Sequence, residues 1–410
     1  MRGVPGGAVG AHGGIGSMAS VRIAIVTDYY YPQLGGITEH VHGQATHLTA
    51  RGHEVTVVTG HLFRPPPVVD PDYRPEEHVP FEVLRIGQAV RLYGNASQTL
   101  HTVDPLLVRK LRRLFRDRRY DVIHVHPPYN PGLPVAAMYA APESALLVGT
   151  FHSVFGRGPL LDMLGWIARR KIARMHGRIV VSEAVIGSLA PYFPFEYTVI
   201  PNGIDDRHFS PDADPLPEYA DGRPTVLFLG RFDPRNGLGT MIDAFVRVRR
   251  ERSDDARLVI VGDGPLKGYY ERRVPEDLSQ DVHWAGRVNW ARPRYFTSAD
   301  LLCTPCSRAS FGMVLLEAMS CGAPVVASRI SGFQLVMEHA RHGLMVSPAD
   351  DAERFADAIS YLLDRPAERA RMGREGRRTA VTRYSWTRIA ADLEAFYLKL
   401  MRDGPSEPDA

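Results

Sequence analysis

The chain has 410 residues and a mass of 45.6 kDa, more than one hydrophobic core usually supports, so two domains are expected. With 44% hydrophobic and 23% charged residues, the composition excludes a disordered or fibrous chain. The net charge of +3 is too small to indicate nucleic acid binding by itself, and no uncharged apolar run is long enough to cross a membrane. Three cysteines are too few for a secreted disulfide scaffold and indicate a reducing compartment.

Both ends of the chain lack the periodicity of helices or strands. Residues 1–20 are rich in glycine and carry no basic segment followed by an apolar core. They are therefore expected to form a disordered leader rather than a secretory signal, and Met18 is a candidate for the true start. Residues 403–410 are expected to form a short tail of the same kind.

Between the ends, short apolar runs rich in β-branched residues alternate with helical patterns. The helices include Gly36–Arg51, Leu238–Arg250 and Phe311–Ser320. This alternation predicts an α/β protein with doubly wound parallel sheets that helices cover on both faces. The strands are predicted at Arg22–Thr27, Glu54–Thr59, Asp121–His126, Leu146–Phe151, Arg178–Ser182, Thr198–Pro201, Thr225–Gly230, Arg257–Val261, Ala299–Cys303 and Pro324–Ala327.

A cluster of proline, aspartate and glycine interrupts the alternation around residues 210–223. We interpret it as a linker (211–222) between two Rossmann-like domains, residues 21–210 and 223–385. A last helical segment covers residues 386–402. Ligands of such sheets bind at the carboxyl ends of the strands, so a cleft between the two domains is the expected active site.

In the first half, the candidate residues follow strand ends. Gly35 and Gly36 lie between the first strand and a helix, where backbone N–H groups could approach an anion, although a plain tight turn is an equal alternative. His152 ends the fourth strand; a structural histidine is the simpler interpretation for such a residue taken alone. His124 and His126 alternate on one strand and share a face, but no acidic or cysteine partner stands at metal-ligand spacing.

In the second half, Arg231 follows a strand and Arg235 precedes a helix that Gly237 opens, a placement that suits a diphosphate. The segment from Phe311 to Met319 begins a helix in which Glu317 has apolar sequence neighbours. Its carboxylate is either a ligand for vicinal hydroxyls or an exposed helix residue. The Gly262–Pro265 turn has a plain structural explanation too. Cys303 and Cys306 form a single pair without a neighbouring histidine, which favours a structural role.

Taken in order, these residues resemble the family-4 retaining glycosyltransferases of the GT-B fold. Within that family, the sequence is most similar to the phosphatidylinositol mannosyltransferases of actinobacteria. The resemblance extends from Arg22 to about Met401. The landmarks are Gly35-Gly36, Asp121–His126, Thr150-Phe151-His152, Val181-Ser182-Glu183, Ile200–Asp205, Leu229-Gly230-Arg231, Val261–Gly264, Phe311-Gly312, Glu317-Ala318-Met319 and Gly322–Ala327.

The resemblance implies transfer of a sugar, with retention, from a nucleotide-diphosphate donor, for which GDP-mannose is suspected. His152 and Arg231 would be the catalytic residues, with His152 near the donor sugar and Arg231 on the diphosphate. Glu317 would bind the ribose. The second domain would bind the nucleotide sugar and the first domain the acceptor, and the last helix, residues 386–402, would pack back on the first domain. The departing phosphate would accept the proton of the acceptor, so the protein mainly stabilises the leaving group. The donor-binding set would be Gly35, Gly36, Arg231, Arg235, Asn236, Gly264, Arg287, Val288, Ser310, Phe311, Gly312, Met313 and Glu317.

Two positions depart from the family pattern. Asn236 stands where the family usually has a lysine, and Ala309 stands where it has the first of two glutamates. Arg235 could supply the missing charge, and Ser307, Arg308 or Ser310 could reach the sugar. The departures leave three alternatives open: an altered donor, a weakened enzyme, or a relative that binds a nucleotide sugar without turnover.

On the acceptor side, the expected residues are Tyr93, Asn95, His126 and Tyr129. The sequence Pro127-Pro128-Tyr129 departs from the Glu-Pro-Asn expected in the lipid-modifying relatives. A basic segment, residues 109–119, predicts a helix that lies on an anionic membrane surface or, equally, a solvated helix face.

The sequence therefore predicts a glycosyltransferase that acts on a lipid or glycolipid such as a phosphatidylinositol-like lipid, in the cytoplasm and at the inner face of the membrane. It predicts no nucleic acid partner, no required cofactor and no metal site, with Mg²⁺ left open. A surface-polysaccharide transferase with another donor and a dinucleotide oxidoreductase are the alternatives. The latter is disfavoured because no Gly-x-Gly-x-x-Gly follows the first strand.

Overall fold

The computed structural model describes residues 20–63, 79–94, 97–152, 168–252 and 255–404, without the side chains of residues 92–98. The proposed leader up to residue 19, including Met18, and the tail from residue 405 lie outside these ranges. Two parallel-rich sheets, each covered by helices, make up the described chain.

The first sheet has eight strands among the described residues, in the order β4-β3-β2-β1-β5-β6-β7-β8. The central strands have continuous apolar sequences that are buried on both faces, as in β1, where the five residues from Ile23 are all buried. The strands are β1 (Arg22–Thr27), β2 (Glu54–Leu62), β3 (Glu82–Gly94), β4 (Ser97–Val103), β5 (Val122–His126), β6 (Leu146–Phe151), β7 (Gly177–Val180) and β8 (Thr198–Val199). The helices that belong to it are α1 (Gly36–Ala50), α2 (Leu107–Arg118), α3 (Leu133–Ala140) and α4 (Glu183–Leu189).

The second sheet has six parallel strands among the described residues, in the order β11-β10-β9-β12-β13-β14. Its strands are β9 (Thr225–Leu229), β10 (Arg257–Val261), β11 (Val282–Gly286), β12 (Leu301–Thr304), β13 (Val325–Ser328) and β14 (Gly343–Val346). Its helices are α5 (Leu238–Glu251), α6 (Lys267–Glu271), α7 (Arg292–Ser298), α8 (Met313–Ser320), α9 (Ser331–Gln334), α10 (Ala352–Leu363) and α11 (Pro366–Tyr384). Short 3-10 helices cover Pro217–Tyr219, Pro234–Asn236 and Glu276–Asp281.

The expectation of doubly wound α/β sheets is confirmed, with one correction. β4 runs antiparallel to β3 at the edge of the first sheet, from the Gln88–Val103 pair to the Gly94–Ser97 pair. The sequence analysis predicted neither strand, because β3 mixes charged and apolar residues without a clear alternation. An antiparallel edge strand tolerates such a sequence, since one of its faces is open to solvent.

The last helix, α12 (Trp386–Asp403), returns to the first sheet and packs on α1. Trp386 lies flat against Gly43 and Gly203, where an added Cβ atom would overlap the indole ring. Glu394, whose side chain is 5% exposed, accepts hydrogen bonds from Arg51 (Nε, 2.8 Å) and pairs with His53 (Nε2, 3.0 Å). The carboxyl-terminal helix therefore belongs to the core of the first domain.

Candidate active site in the cleft between the sheets

Two groups of residues border the expected cleft: a histidine cluster in the first domain and a cationic loop in the second. Contacts cross between the domains there. The hydroxyl of Ser182, which follows β7, donates to the carbonyl of Ser310 at 2.7 Å. Arg292 of α7 donates to Glu39 of α1 at 2.7 Å. The site is therefore built by both domains together.

The histidine cluster consists of His40, His126 and His152, whose nearest ring nitrogens lie within 4.8 Å of one another. Nδ1 of His126 and Nε2 of His152 are 2.9 Å apart and share a hydrogen bond. Nδ1 of His40 and Nε2 of His126 are buried and have no hydrogen-bond partner among the described residues. Buried polar nitrogens of this kind usually have a hydrogen-bond partner, so a ligand group is a candidate partner for both.

Burial keeps the three imidazoles neutral. It lowers the pKa of His40 to about 4, and burial together with the neighbouring imidazoles holds the pKa values of His126 and His152 well below the usual range. His124 stacks on His126 with ring centres 4.2 Å apart and is fixed by Tyr397 and Thr150 at 2.6 and 2.7 Å. Neutral rings can donate or accept one hydrogen bond at each nitrogen, as sugar hydroxyls require.

His40 is the member of the cluster that sequence reasoning missed. It lies on α1, four residues after Gly36, and only the packing of α1 in the first domain brings its ring within 5.5 Å of that of His126 and 4.8 Å of that of His152. A cluster of imidazoles is a set of nitrogen ligands, which Mg²⁺ does not prefer. The absence of a required metal stays a prediction.

The cationic loop follows β9 in the second domain. Arg231 is exposed, and the part of the chain that the structure describes provides its side chain with no ion pair or hydrogen bond. Although the side chain reaches solvent, partial desolvation of its guanidinium and the nearby charge of Arg235 lower the pKa of Arg231. Arg235 itself pairs with Asp233 at 3.3 Å. Two neighbouring guanidinium groups with one carboxylate between them leave an excess positive charge that suits a diphosphate.

Two glycines shape this part of the site because their backbones adopt the left-handed region. Gly237, with φ 76°, opens α5, and a Cβ atom there would meet the carbonyl of Pro305. Gly312, with φ 98°, opens α8, and a Cβ atom would lie 2.8 Å from the ring of Phe333. Both helix amino termini therefore start from turns that only glycine adopts without strain.

The two departures from the family pattern lie on loops that touch each other. Asn236 Nδ2 donates to the carbonyl of Arg231 at 2.8 Å, and its Oδ1 lies 3.9 Å from the Cys306 thiol. Ser307 N donates to the carbonyl of Arg235 at 2.8 Å. The loop that carries Ala309 is thus tied to the arginine loop, and Asn236 fastens the turn that presents Arg231.

Glu317 of α8 is buried, with its side chain 3% exposed. Arg292 donates to its Oε1 at 2.7 Å, whereas Oε2 has no partner among the described residues. Burial raises the pKa of Glu317, and Arg292 opposes that shift. No sequence motif marks Arg292, which follows an aperiodic loop, or Glu39, because the two residues meet across 253 positions of the chain.

The remaining donor candidates border the same region or lie apart from its contacts. Gly35 and Gly36 are exposed, with open space beside each. Gly264 packs on the backbone of Phe232, Arg287 is exposed, and Val288 and Met313 pack partly on the core of the second domain. Phe311 is buried in that core. These assignments stay predictions.

On the acceptor side, Tyr129 packs its ring 6.0 Å from that of Phe151. Asn95 and the side chain of Tyr93 lie outside the described residues. A depression of about 640 Å³ opens near the edge strands, lined by residues that include His61, Arg85, Asp104 and Lys110. It contains none of the predicted acceptor residues.

The basic segment forms α2, and its apolar face is used inside the protein. Leu107, Leu111 and Phe115 are buried in the core of the first domain, so this face is not free to enter a bilayer. The arginines point outward, beside the exposed side chains of Val103, Leu106 and Tyr139. No helix in the described ranges combines the length and apolarity needed to cross a membrane.

Comparison with known proteins agrees with this architecture. The family described as "Glycosyltransferase Family 4" matches residues 34–208, and "Glycosyl transferases group 1" matches residues 223–365. A phosphatidyl-myo-inositol mannosyltransferase of Mycobacterium leprae is 32% identical over 94% of this chain and 98% of its own length. The chain belongs to glycosyltransferase family 4. The predicted family and enzyme class are confirmed.

Other relatives of this chain differ in the reaction that their names give. The phosphatidyl-myo-inositol mannosyltransferase of Mycolicibacterium smegmatis is 32% identical over 92% of this chain and 93% of its own. A glycogen synthase of Mycobacterium tuberculosis is 27% identical over 95% of this chain and 97% of its own. Family membership therefore fixes sugar transfer as the activity but leaves donor and acceptor open.

Solved structures of glycosyltransferases show the same fold. A sucrose-phosphate synthase of Thermosynechococcus elongatus superimposes with a TM-score of 0.72 at 21% identity, over 94% of this chain and all of the other. Anabaena HepE, in complex with UDP and glucose, gives a TM-score of 0.69 at 18% identity, over 92% of this chain and 99% of the other. The expected GT-B fold, with two Rossmann-like domains facing a cleft, is confirmed.

Proposed function

We propose that this family-4 enzyme transfers mannose from GDP-mannose, with retention, to a phosphatidylinositol-like lipid. The observation that carries the donor class is the pair Arg231 and Arg235 beside the amino terminus of α5, where positive charge exceeds negative charge. The observation that favours this sugar and acceptor is the match, over almost the whole chain, to phosphatidyl-myo-inositol mannosyltransferases.

In the proposed reaction, the bond between the sugar's anomeric carbon and the diphosphate oxygen breaks while the acceptor oxygen bonds to that carbon on the same face. The proton of the acceptor hydroxyl passes to the departing diphosphate. Arg231 neutralises the charge that develops there. His152 and His126 orient the sugar hydroxyls through their neutral rings, and Glu317 accepts from the ribose through its free Oε2 oxygen.

The contact surface for the lipid is proposed to include α2 and its surroundings. Arg109, Arg112, Arg113 and Arg116 are exposed on α2, and Leu106 and Tyr139 are exposed nearby. Such a surface attracts anionic headgroups electrostatically, at about 1 kcal/mol per basic residue. Transfer to a surface polysaccharide remains the second candidate, since a glycogen synthase is also among the relatives.

The test is a transfer assay with purified protein, GDP-, UDP- and ADP-sugars, and vesicles that contain phosphatidylinositol. We expect mannose from GDP-mannose to appear in the lipid fraction. Arg231→Ala should lower the rate by about two to three orders of magnitude, as loss of a donor to the developing charge does. Arg250→Ala, at an exposed position on α5, is the matched control and should leave the rate unchanged. Transfer to a polysaccharide alone would favour the second candidate. Nucleotide binding without sugar release from any donor would show a binding protein.

A further inference from the structure

Arg292 joins three segments of the chain through its three guanidinium nitrogens. Nη1 donates to Glu317 Oε1 and Nη2 to Glu39 Oε1, both at 2.7 Å. Nε donates to the carbonyl of Asn289 at 2.9 Å. The planar fork of arginine can hold three acceptors in fixed directions, which a lysine ammonium cannot reproduce.

The setting of Arg292 makes these contacts strong. Its side chain is 15% exposed, against 24% for Glu39 and 3% for Glu317. The ring of Phe209 lies 5.2 Å away, within reach of a cation–π contact. Burial alone would lower the pKa of Arg292, but the two carboxylates raise it well above its usual value, so the guanidinium stays charged.

The two carboxylates belong to different domains. Glu317 lies on α8 of the second domain, and Glu39 lies on the first turn of α1 in the first domain. One positive charge shared between two carboxylates cannot fully neutralise both. The more deeply buried of the two, Glu317, is also the one with an unpartnered oxygen, Oε2. A buried acceptor without a partner indicates that a ligand donor belongs there.

We infer that Arg292 is a positioning residue for the nucleotide: it orients Glu317 toward a ribose hydroxyl and, through its separate contact with Glu39, ties the donor site to the first domain. The inference rests on the proposed function, since it takes the ligand of Glu317 to be a ribonucleotide. Glu39 and Arg292 then link donor recognition to closure of the cleft.

Two variants separate the two parts of this role. Arg292→Lys keeps a charge but loses the fork, so Glu317 loses its orientation. Glu39→Gln removes the charged contact between domains and leaves the pair of Arg292 with Glu317. Glu82→Gln is the matched control, because Glu82 pairs with Arg118 at 3.0 Å inside the first domain, away from the cleft.

Isothermal titration calorimetry with GDP, 2′-deoxy-GDP and 3′-deoxy-GDP tests whether Arg292 orients Glu317 toward a ribose hydroxyl. We expect the wild-type protein to prefer GDP over at least one deoxy form by about tenfold or more, the worth of a hydrogen bond to a charged group. Arg292→Lys should reduce this preference to within about threefold, and Glu39→Gln should keep it. A preference unchanged in Arg292→Lys overturns the positioning role.

Small-angle X-ray scattering with and without GDP tests whether the contact between Glu39 and Arg292 links the two domains. The radius of gyration of the wild-type protein and of Glu82→Gln should be the same with GDP bound, whereas Glu39→Gln should remain more expanded and bind GDP more weakly. Wild-type affinity and compaction in Glu39→Gln overturn the link between domains, even if Arg292→Lys fails to fold. If the wild-type protein binds none of GDP, UDP and ADP, the proposed function fails together with this inference. If the wild-type protein binds a nucleotide but the variants behave like it, only the inference fails.

Discussion

At the scale of single residues, the site combines side chains that the sequence singles out with partners that it does not. Arg231 and His152 stand at strand ends, where ligands of parallel sheets bind. The residues that fix their surroundings, such as Asn236 beneath Arg231, have no signature of their own. The exchange of the family's lysine for Asn236 therefore does more than remove a charge, because the asparagine holds the turn that presents Arg231.

We expect Asn236→Lys to lower the transfer rate by about tenfold, because the hydrogen bond to the Arg231 carbonyl is lost and the turn that presents Arg231 loosens. Asn236→Ala is the control that loses the same hydrogen bond without adding a charge, and steady-state kinetics with the preferred donor compares the two. Ala309→Glu is combined with Asn236→Lys in a third variant. A large gain of activity in that double variant would contradict this expectation and show that the chain has decayed from a more active enzyme.

Asp28, at the end of β1, gives a pH dependence with a definite sign. It accepts from the backbone N–H groups of Thr102 and Leu133 and from the amide of Asn130. Burial, the largest influence, raises the pKa of Asp28 to about 6, against the opposing hydrogen bonds. Between pH 4 and 6 the native state therefore binds a proton that the unfolded state has released, so this group's contribution to stability falls as the pH rises.

The variant Asp28→Asn removes this titration. Relative to the wild-type protein, its free energy of unfolding should rise with pH between 4 and 6, by up to about 3 kcal/mol for a shift of about two units. Urea unfolding of both proteins across this range measures the difference between their free energies of unfolding. The contributions of the other carboxyl groups are the same in both proteins and cancel in this difference. A difference that is constant with pH, or that changes in the opposite direction, would contradict the raised pKa of Asp28.

At the scale of elements, α12 determines the arrangement behind the histidines. Its Tyr397 hydroxyl contacts His124 and Gln44, and its Trp386 ring lies 5.1 Å from that of His40. The packing of the last helix on the first domain is predicted from the family resemblance alone, and no pattern in the helix sequence indicates it. The structure supplies a physical reason, because glycines on α1 and after β8 leave room for the indole ring.

Gly43→Ala tests this contact, since its Cβ atom would enter the space of the Trp386 ring. We expect a loss of about 1–3 kcal/mol in the free energy of unfolding, as overpacking of a core causes. Gly187→Ala on α4, where a Cβ atom meets open space, is the control and should stabilise by about 0.4–1 kcal/mol. Urea denaturation measures both, and equal effects of the two substitutions would exclude a tight α1–α12 contact.

At the scale of the whole molecule, the exposed positive charge of α2 is separate from the cleft charge near Arg231. Because the apolar face of α2 is buried in the domain core, any membrane contact depends on the arginines and not on insertion of this face. Salt should therefore weaken such a contact strongly.

Reversing Arg112, Arg113 and Arg116 to glutamate should lower co-sedimentation with anionic vesicles by at least about tenfold, since each basic residue near such a surface contributes about 1 kcal/mol. The matched control reverses Arg371, Arg374 and Arg378, which are exposed on α11, and so changes the net charge equally. Vesicle binding that is unchanged in the first variant, or reduced equally in both, would count against α2 as the contact surface.

The sequence by itself determined the alternation of strands and helices, the family, and the residues at strand ends, because buried parallel strands appear as continuous apolar runs and motifs at their ends are local. It did not predict β3, β4, β11 or β14, whose sequences are mixed or short, nor the antiparallel edge. Only the tertiary structure brought His40 to His126 and His152 and joined Glu39, Arg292 and Glu317. Contacts between residues far apart in the chain follow from how helices pack on sheets and how the two domains meet, and no local pattern records them.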